Sequence, residues 1–160
     1  MLLKLINRAI VDDLAGSSQN SSRLRSSLMF HEDAADHLQR MVTVAQPGSY
    51  VRPHKHQDPD KVEVFVVLRG KLLVVTFAED GTLSEHVVLG ADSGTWGVEV
   101  PPATWHMTIP LEPDTAYFEV VEGPWEEHTH KKFPAWAPAE IEADAGQAFV
   151  SRIRQELMEY

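Results

Sequence analysis

With 160 residues, the chain suits one domain with a sizeable core, and 43% hydrophobic against 24% charged residues is ordinary for a soluble globular protein. It has no cysteine, which excludes a disulfide framework, a thiolate zinc site and a cysteine nucleophile. A formal charge of −10 repels phosphate backbones, so nucleic acid is not expected as a partner.

In chain order, "MLLKLINRAIVDDLAG" places Leu2, Leu5, Ile6, Ala9 and Ile10 at helical spacing and is predicted to form a short amphipathic helix. Asp12, Asp13 and the frequent polar positions argue against a signal peptide, and no apolar run approaches the roughly 20 residues of a membrane span. A cytoplasmic location with no membrane partner is therefore expected. "AGSSQNSSRLRSS" reads as loop. From Gln39 onward β-branched and aromatic residues take over. "QRMVTV", "VEVFVVL", "KLLVVTF", "LSEHVVL", "TWGVEV", "WHMTI" and "TAYFEVVE" read as short strands separated by Pro- and Gly-containing turns. With no helical pattern between Gly48 and Glu122, this is a mainly β chain closing into an antiparallel sandwich or barrel. "GPWEEHTHKKFPAWAPAE" reads as a long loop whose Trp125, Phe133 and Trp136 pack on the barrel. "EIEADAGQAFVSRIRQELMEY" reads as a C-terminal helix with Phe149, Ile153 and Leu157 on one face. The expected division is residues 1–21 as N-terminal helix and linker, 22–140 as the β-barrel domain with its closing loop, and 141–160 as the C-terminal helix.

The stretch "GSYVRPHKHQDPDKVEVFVVLRG" interrupts this apolar pattern with polar groups. On a strand, His54 and His56 would share a face, and Glu63, opening the next strand, can approach them. Two imidazoles and a carboxylate inside a small barrel are costly to bury unsatisfied. A divalent cation removes that cost, and this donor set suits Mn, Fe, Ni, Cu or Zn. His106, in "VPPATWHMTIP", is the further histidine that completes the set. An isolated His-x-His is more often a surface pair than a ligand pair; Glu63, the flanking glycines and His106 turn the balance. Arg52 shares the parity of His54 and is a candidate for orienting an anionic substrate, against a rim salt bridge. Alternation in "AYFEVVE" puts Tyr117 and Glu119 on one face, so Glu119 is a candidate general base, against an outward, solvated acid. Tyr50, Phe65 and Trp96 read as packing residues, and Trp105 as facing a helix or an interface. His31 reads as solvent-exposed, against capping the mouth of the barrel; His37 and His86 read as surface, and "HTH", His128 to His130, as a loop segment that repeats the motif without being a second metal site.

Gly48, His54-x-His56, Glu63 and Gly70 resemble the first cupin motif, and Pro101-x-Ala103-x-x-His106 resembles the second. "GSYVRPHKH", "FVVLRGKLLVVTFAEDG", "VPPATWH" and "EGPWEE…FPAWAPAE", with the lead-in "RLRSSLMFH", resemble the WbuC-type cupin metalloproteins over roughly Ser22 to Glu140. The six residues between His56 and Glu63 exceed the general cupin gap, while Ala103 and Pro110 stand where glycine and asparagine are usual. The resemblance implies a double-stranded β-helix, or jelly roll, flanked here by the N- and C-terminal helices. It implies one divalent transition metal (Fe, Mn, Ni or Zn) on His54, His56, Glu63 and His106, and a homodimer. The implied function is metal-assisted isomerase or dioxygenase chemistry on a small polar or anionic, sugar-like ligand, with a link to surface polysaccharide. The alternative is a cupin that binds or senses such a ligand without catalysis.

Overall fold

The structure, a computed structural model, describes residues 3–158. Eight strands form two antiparallel sheets. Strands β1 (Arg25–Met29), β2 (Leu38–Ala45), β8 (Thr115–Glu122), β3 (Glu63–Arg69) and β6 (Gly97–Val100) make a five-stranded sheet in the order β1-β2-β8-β3-β6. Strands β5 (Leu83–Leu89), β4 (Leu72–Phe77) and β7 (Trp105–Pro110) make a three-stranded sheet in the order β5-β4-β7. Helix α1 (Arg8–Gln19) covers the outer face of the larger sheet and α2 (Ala143–Met158) that of the smaller one. This is the predicted mainly β, cupin-type roll with a helix at each end.

The four layers explain why several strands carry no clean polar–apolar alternation. In β4, Leu72 and Val74 face Phe65, Leu89, Val100 and Tyr117 between the sheets. Leu73, Val75 and Phe77 face the other way, where Met107 and Ile109 of β7 meet Phe149, Val150 and Ile153 of α2. A strand covered on both faces reads as continuous apolar sequence. On β2, Val42 and Val44 point out to Val11 and Ala15 of α1, while Met41 and Thr43 point between the sheets. The apolar cluster fills one end of the inter-sheet space and leaves the other end to polar side chains.

Helix α2 comes so close to the barrel at Gly146 that a Cβ there would lie 2.4 Å from Cδ1 of Tyr50. Tyr50 is buried, packs edge-on against Phe149 and donates its hydroxyl to the Pro138 carbonyl at 2.8 Å, so it has no room to yield. Gly146→Leu is expected to cost about 1–3 kcal/mol in denaturant unfolding, the usual range for overpacking.

Several expectations are corrected. Helix α1 starts at Arg8, capped by the Asn7 side chain accepting from the Ile10 amide at 3.1 Å, so Leu5 and Ile6 lie before it. Leu2 lies outside the described residues, as do Glu159 and Tyr160 at the other end. The helix also runs through Gly16-Ser17-Ser18-Gln19, read above as loop, because Ser18 is buried there and accepts from Gln46 Nε2 at 2.7 Å. Strand β1 lies in the other part of that loop and is held by pairing with β2, Ser27 Oγ meeting Thr43 Oγ1 at 2.8 Å. Helix α2 begins at Ala143. Trp96, expected in the core, is 67% exposed.

Candidate metal centre

His54 and His56 do not lie on a regular strand, as the sequence reading had supposed; residues 51–62 form an irregular connection touching the sheets at isolated bridges. His54 and His106 nevertheless exchange both backbone hydrogen bonds, at 3.0 and 2.9 Å, which sets their side chains next to each other. Lys55 does the same with Lys132 of the closing loop, at 3.1 and 2.9 Å. The His56 carbonyl accepts from the Ala103 amide at 2.8 Å. Ala103 has φ 60°, the left-handed conformation that makes glycine usual there. Glu63 opens β3, between Val100 of β6 and Val121 of β8. The turn at Ala103 leads into β7 and aims His106 and Thr108 inward, while Met107 faces α2.

The four side chains converge, with potential ligand atoms all within 4.8 Å of one another. From Glu63 Oε2, the Nε2 atoms lie at 2.7 Å (His106), 3.1 Å (His56) and 3.8 Å (His54). Each ring is fixed from behind. Nδ1–H donates to a backbone carbonyl: that of Arg52 at 3.0 Å for His54, of His130 at 2.5 Å for His56, and of Thr104 at 2.9 Å for His106. A carbonyl only accepts, so Nδ1 carries a proton, and Nε2 of a ring without a second proton presents a lone pair. Three lone pairs and a carboxylate thus face one another without a donor. Only a second proton on an imidazole or a cation reconciles them. Burial opposes the proton: it drives His54 well below the usual imidazole range, helped by Lys131 and His106 nearby, and leaves its Nε2 buried without a hydrogen-bond partner. Burial by itself would raise the Glu63 carboxyl; hydrogen bonds from His106, His54 and His56, which exist where an imidazole carries the second proton in place of a cation, outweigh it and lower the group well below its usual range. This donor set, with its outer shell of carbonyls, can hold a divalent transition metal.

Beside the cluster opens a cavity of about 620 Å³. His54, Glu63 and His106 form part of its wall, while His56 stands behind. Glu119 lines it, on the inward face of β8 where alternation put it. Burial, then the charge of Glu63, pushes the Glu119 carboxyl up to about 8.

Arg52 is not among the lining residues. Its Nη2 donates to the Pro134 carbonyl at 2.7 Å and its guanidinium lies 5.0 Å from the centre of the Phe133 ring. The parity argument fails because Arg52 lies outside any strand. Arg52→Ala is expected to keep the metal content and to speed amide exchange across residues 131–136, as read by mass spectrometry.

Cavity residues that sequence reading missed come from two places. Arg25, on β1, is tied to the Tyr50 carbonyl at 2.8 Å and to Glu140 at 3.0 Å. His31, His130 and Lys131 also line the space, and His130 is only 4% exposed. His31, read as solvent-exposed against capping the barrel mouth, stands at the cavity, half-buried, and its Nδ1 accepts from the Arg40 amide at 2.9 Å. Trp125 and Phe133 sit at the same wall, whereas Trp136 packs with Phe77 and Phe149 over the smaller sheet.

Two antiparallel sheets rolled face to face, with a helix at each end, make a cupin-type fold, and solved structures share it. Oxalate oxidase in complex with the substrate analogue glycolate is 17% identical, with 87% of this chain and 75% of that one covered and a TM-score of 0.51. Protein SO0799 from Shewanella oneidensis is 10% identical over 82% of this chain and 84% of that one, with a TM-score of 0.54. CapF with the inhibitor 3-isopropenyl-tropolone is 19% identical over 68% of this chain but only 34% of that one, with a TM-score of 0.50. At these identities the likeness is one of fold. By sequence, residues 6–89 match the family described as Domain of unknown function (DUF6016), and the chain belongs to that family. The match takes in His54, His56 and Glu63 and ends before His106. No curated protein matches the chain. Among the described residues no helix is long and apolar enough to cross a membrane.

Proposed function

We propose that this protein is a metal-dependent cupin of the WbuC type that acts on a small polar or anionic, sugar-like metabolite in the cytoplasm, as a homodimer. His54, His56, Glu63 and His106 hold one divalent ion, Fe, Mn, Ni or Zn. The observation that carries the reading is the convergence of three Nε2 atoms on a carboxylate oxygen, each ring locked by a carbonyl at Nδ1. When bound, the ion supplies Lewis acidity towards a carbonyl or hydroxyl oxygen or, as Fe(II), a redox centre. Glu119, on the cavity wall, is the group placed to take or give a proton at the ligand. Arg52 acts indirectly, by holding the closing loop against Phe133 and Pro134. The motif resemblance favours a role connected with surface polysaccharide, through isomerase or dioxygenase chemistry.

The test is elemental analysis of untagged protein never exposed to chelator, followed by a thermal-shift screen of sugar nucleotides and keto acids on the metal-loaded chain. About one equivalent of a transition metal is expected, and less than about a tenth sinks the site. With a stabilising compound in hand, Glu119→Gln is expected to keep metal and melting temperature while turnover is lost. The depth of the cluster, with His54, His56, Glu63 and His106 each no more than 3% exposed, favours a second reading in which the ion only organises a binding or sensing pocket. That reading predicts ligand binding with no turnover in the wild type.

A further inference from the structure

His130 belongs to no part of the metal cluster, yet it sits against it. Its carbonyl takes the His56 Nδ1–H, and its ring lies 4.9 Å from that of His56, on the cavity wall. Behind the ring is Lys61, 3% exposed, whose ammonium donates to the Pro124 carbonyl and to His130 Nδ1, the latter at 3.3 Å. An ammonium has no lone pair, so Nδ1 of His130 must be the acceptor. The proton of the neutral ring is then on Nε2. This is the opposite tautomer to that of His54, His56 and His106. No described residue pairs with that Nε2. Next in sequence, Lys131 lines the same cavity and makes no ion pair with any described residue, whereas Arg23 and Arg25 both bind Glu140. A fixed neutral donor beside an unpaired cation, facing a cavity with room for a small organic acid, is a recognition element for an anionic oxygen.

We propose that His130 is a ligand-binding residue: its Nε2–H, fixed by Lys61, donates to a carboxylate oxygen of the small acid that this cavity takes, and Lys131 supplies the opposing charge. The inference deepens the metal-dependent reading, resting on it for the cavity as the ligand site. The hydrogen bond and the charge lie on the closing-loop side, so the acid group is held there while its neighbouring carbon atoms lie towards His54 and His106. Truncating one partner of a charge-assisted hydrogen bond weakens binding by roughly tenfold or more.

The experiment has two independent readings on the full-length, metal-loaded chain. In the first, the imidazole nitrogens are followed by long-range proton–nitrogen correlation. His130 is expected as the Nε2–H tautomer in the wild type and as a tautomer mixture in Lys61→Met; an Nδ1–H tautomer in the wild type overturns the proposal. The second is calorimetry with D-gluconate and its uncharged analogue D-sorbitol. Gluconate is expected to bind about tenfold tighter or more, and His130→Phe and Lys131→Met each to remove most of that preference with metal content unchanged. His130→Gln, which restores a donor, is expected to recover part of it. A wild type without the preference, or a folded His130→Phe that keeps it, overturns the proposal. The two readings also separate failures. A wild type that carries no metal but shows the tautomer and the preference defeats the metal assignment alone.

Discussion

Stripping the metal-loaded protein with a chelator is expected to lower its melting temperature by about 8–16 °C. An ion present at a thousand times its dissociation constant contributes about 4 kcal/mol, and a chain of this size shifts by about 2–4 °C per kcal/mol. The stripped protein loses more than a ligand, because the lone pairs of His54, His56 and His106 are left facing the Glu63 carboxylate. Glu63→Gln separates these effects. The amide neither neutralises a cation nor repels the imidazoles; its NH₂ can donate to His106 and His56, which lie at 2.7 and 3.1 Å from Oε2. The variant is therefore expected to bind less than about a tenth of an equivalent of metal and yet to melt no lower than stripped wild type. Differential scanning calorimetry of loaded wild type, stripped wild type and Glu63→Gln decides the matter. A Glu63→Gln protein with full metal content would remove Glu63 from the ligand set.

Ile153→Ala is expected to cost about 2–5 kcal/mol, the range for emptying a fully buried aliphatic site. Ile153 is 0% exposed and packs among Leu73, Val75, Met107 and Ile109 on the outer face of the smaller sheet. Residues of β7 alternate between this contact and the site, Met107 and Ile109 on one side and His106 and Thr108 on the other. Even so, His106 is fixed by its own bonds to the Thr104 carbonyl and to the His54 backbone. Below its reduced melting point the variant should accordingly keep its metal stoichiometry. Urea unfolding monitored by tryptophan fluorescence gives the first quantity and elemental analysis the second; a loss under about 1 kcal/mol would mean that α2 contributes little to holding the roll.

Seven strands were legible because β-branched and apolar runs bounded by turn residues mark them even where both faces are covered and alternation is lost. Strand β1 was not, since "RSSLM" has no strand composition and is extended only through its pairing with β2. The gathering of His54, His56, Glu63 and His106 was legible from residue types and spacing, although the strand geometry first used to justify it does not exist around His54. That same error misplaced Arg52. The pocket's other polar residues were hidden for two reasons. Arg25 lies in the unrecognised strand, and His130 and Lys131 lie in a Pro- and Trp-rich loop, where no periodicity says which side chains turn inward. Their positions depend on tertiary contacts such as Lys55 with Lys132, Lys132 with Asp58 at 2.5 Å, and Lys61 with the Pro124 carbonyl. Asp58 and Lys61 belong to the long gap between His56 and Glu63, so the departure from common cupin spacing supplies the anchors of the loop.

The closing loop offers the carbonyl of His130 to His56, so the same covalent segment shuts the cavity and orients a cluster ligand. Were the cluster to hold an ion, opening the segment would withdraw that acceptor and weaken the grip on it, and by thermodynamic reciprocity the ion would weight the shut form by the same factor. Ligand entry and cation exchange would then be coupled steps: a compound that props the segment ajar would act as a slow metal-release agent, and one that clasps it would slow demetallation without touching the ion.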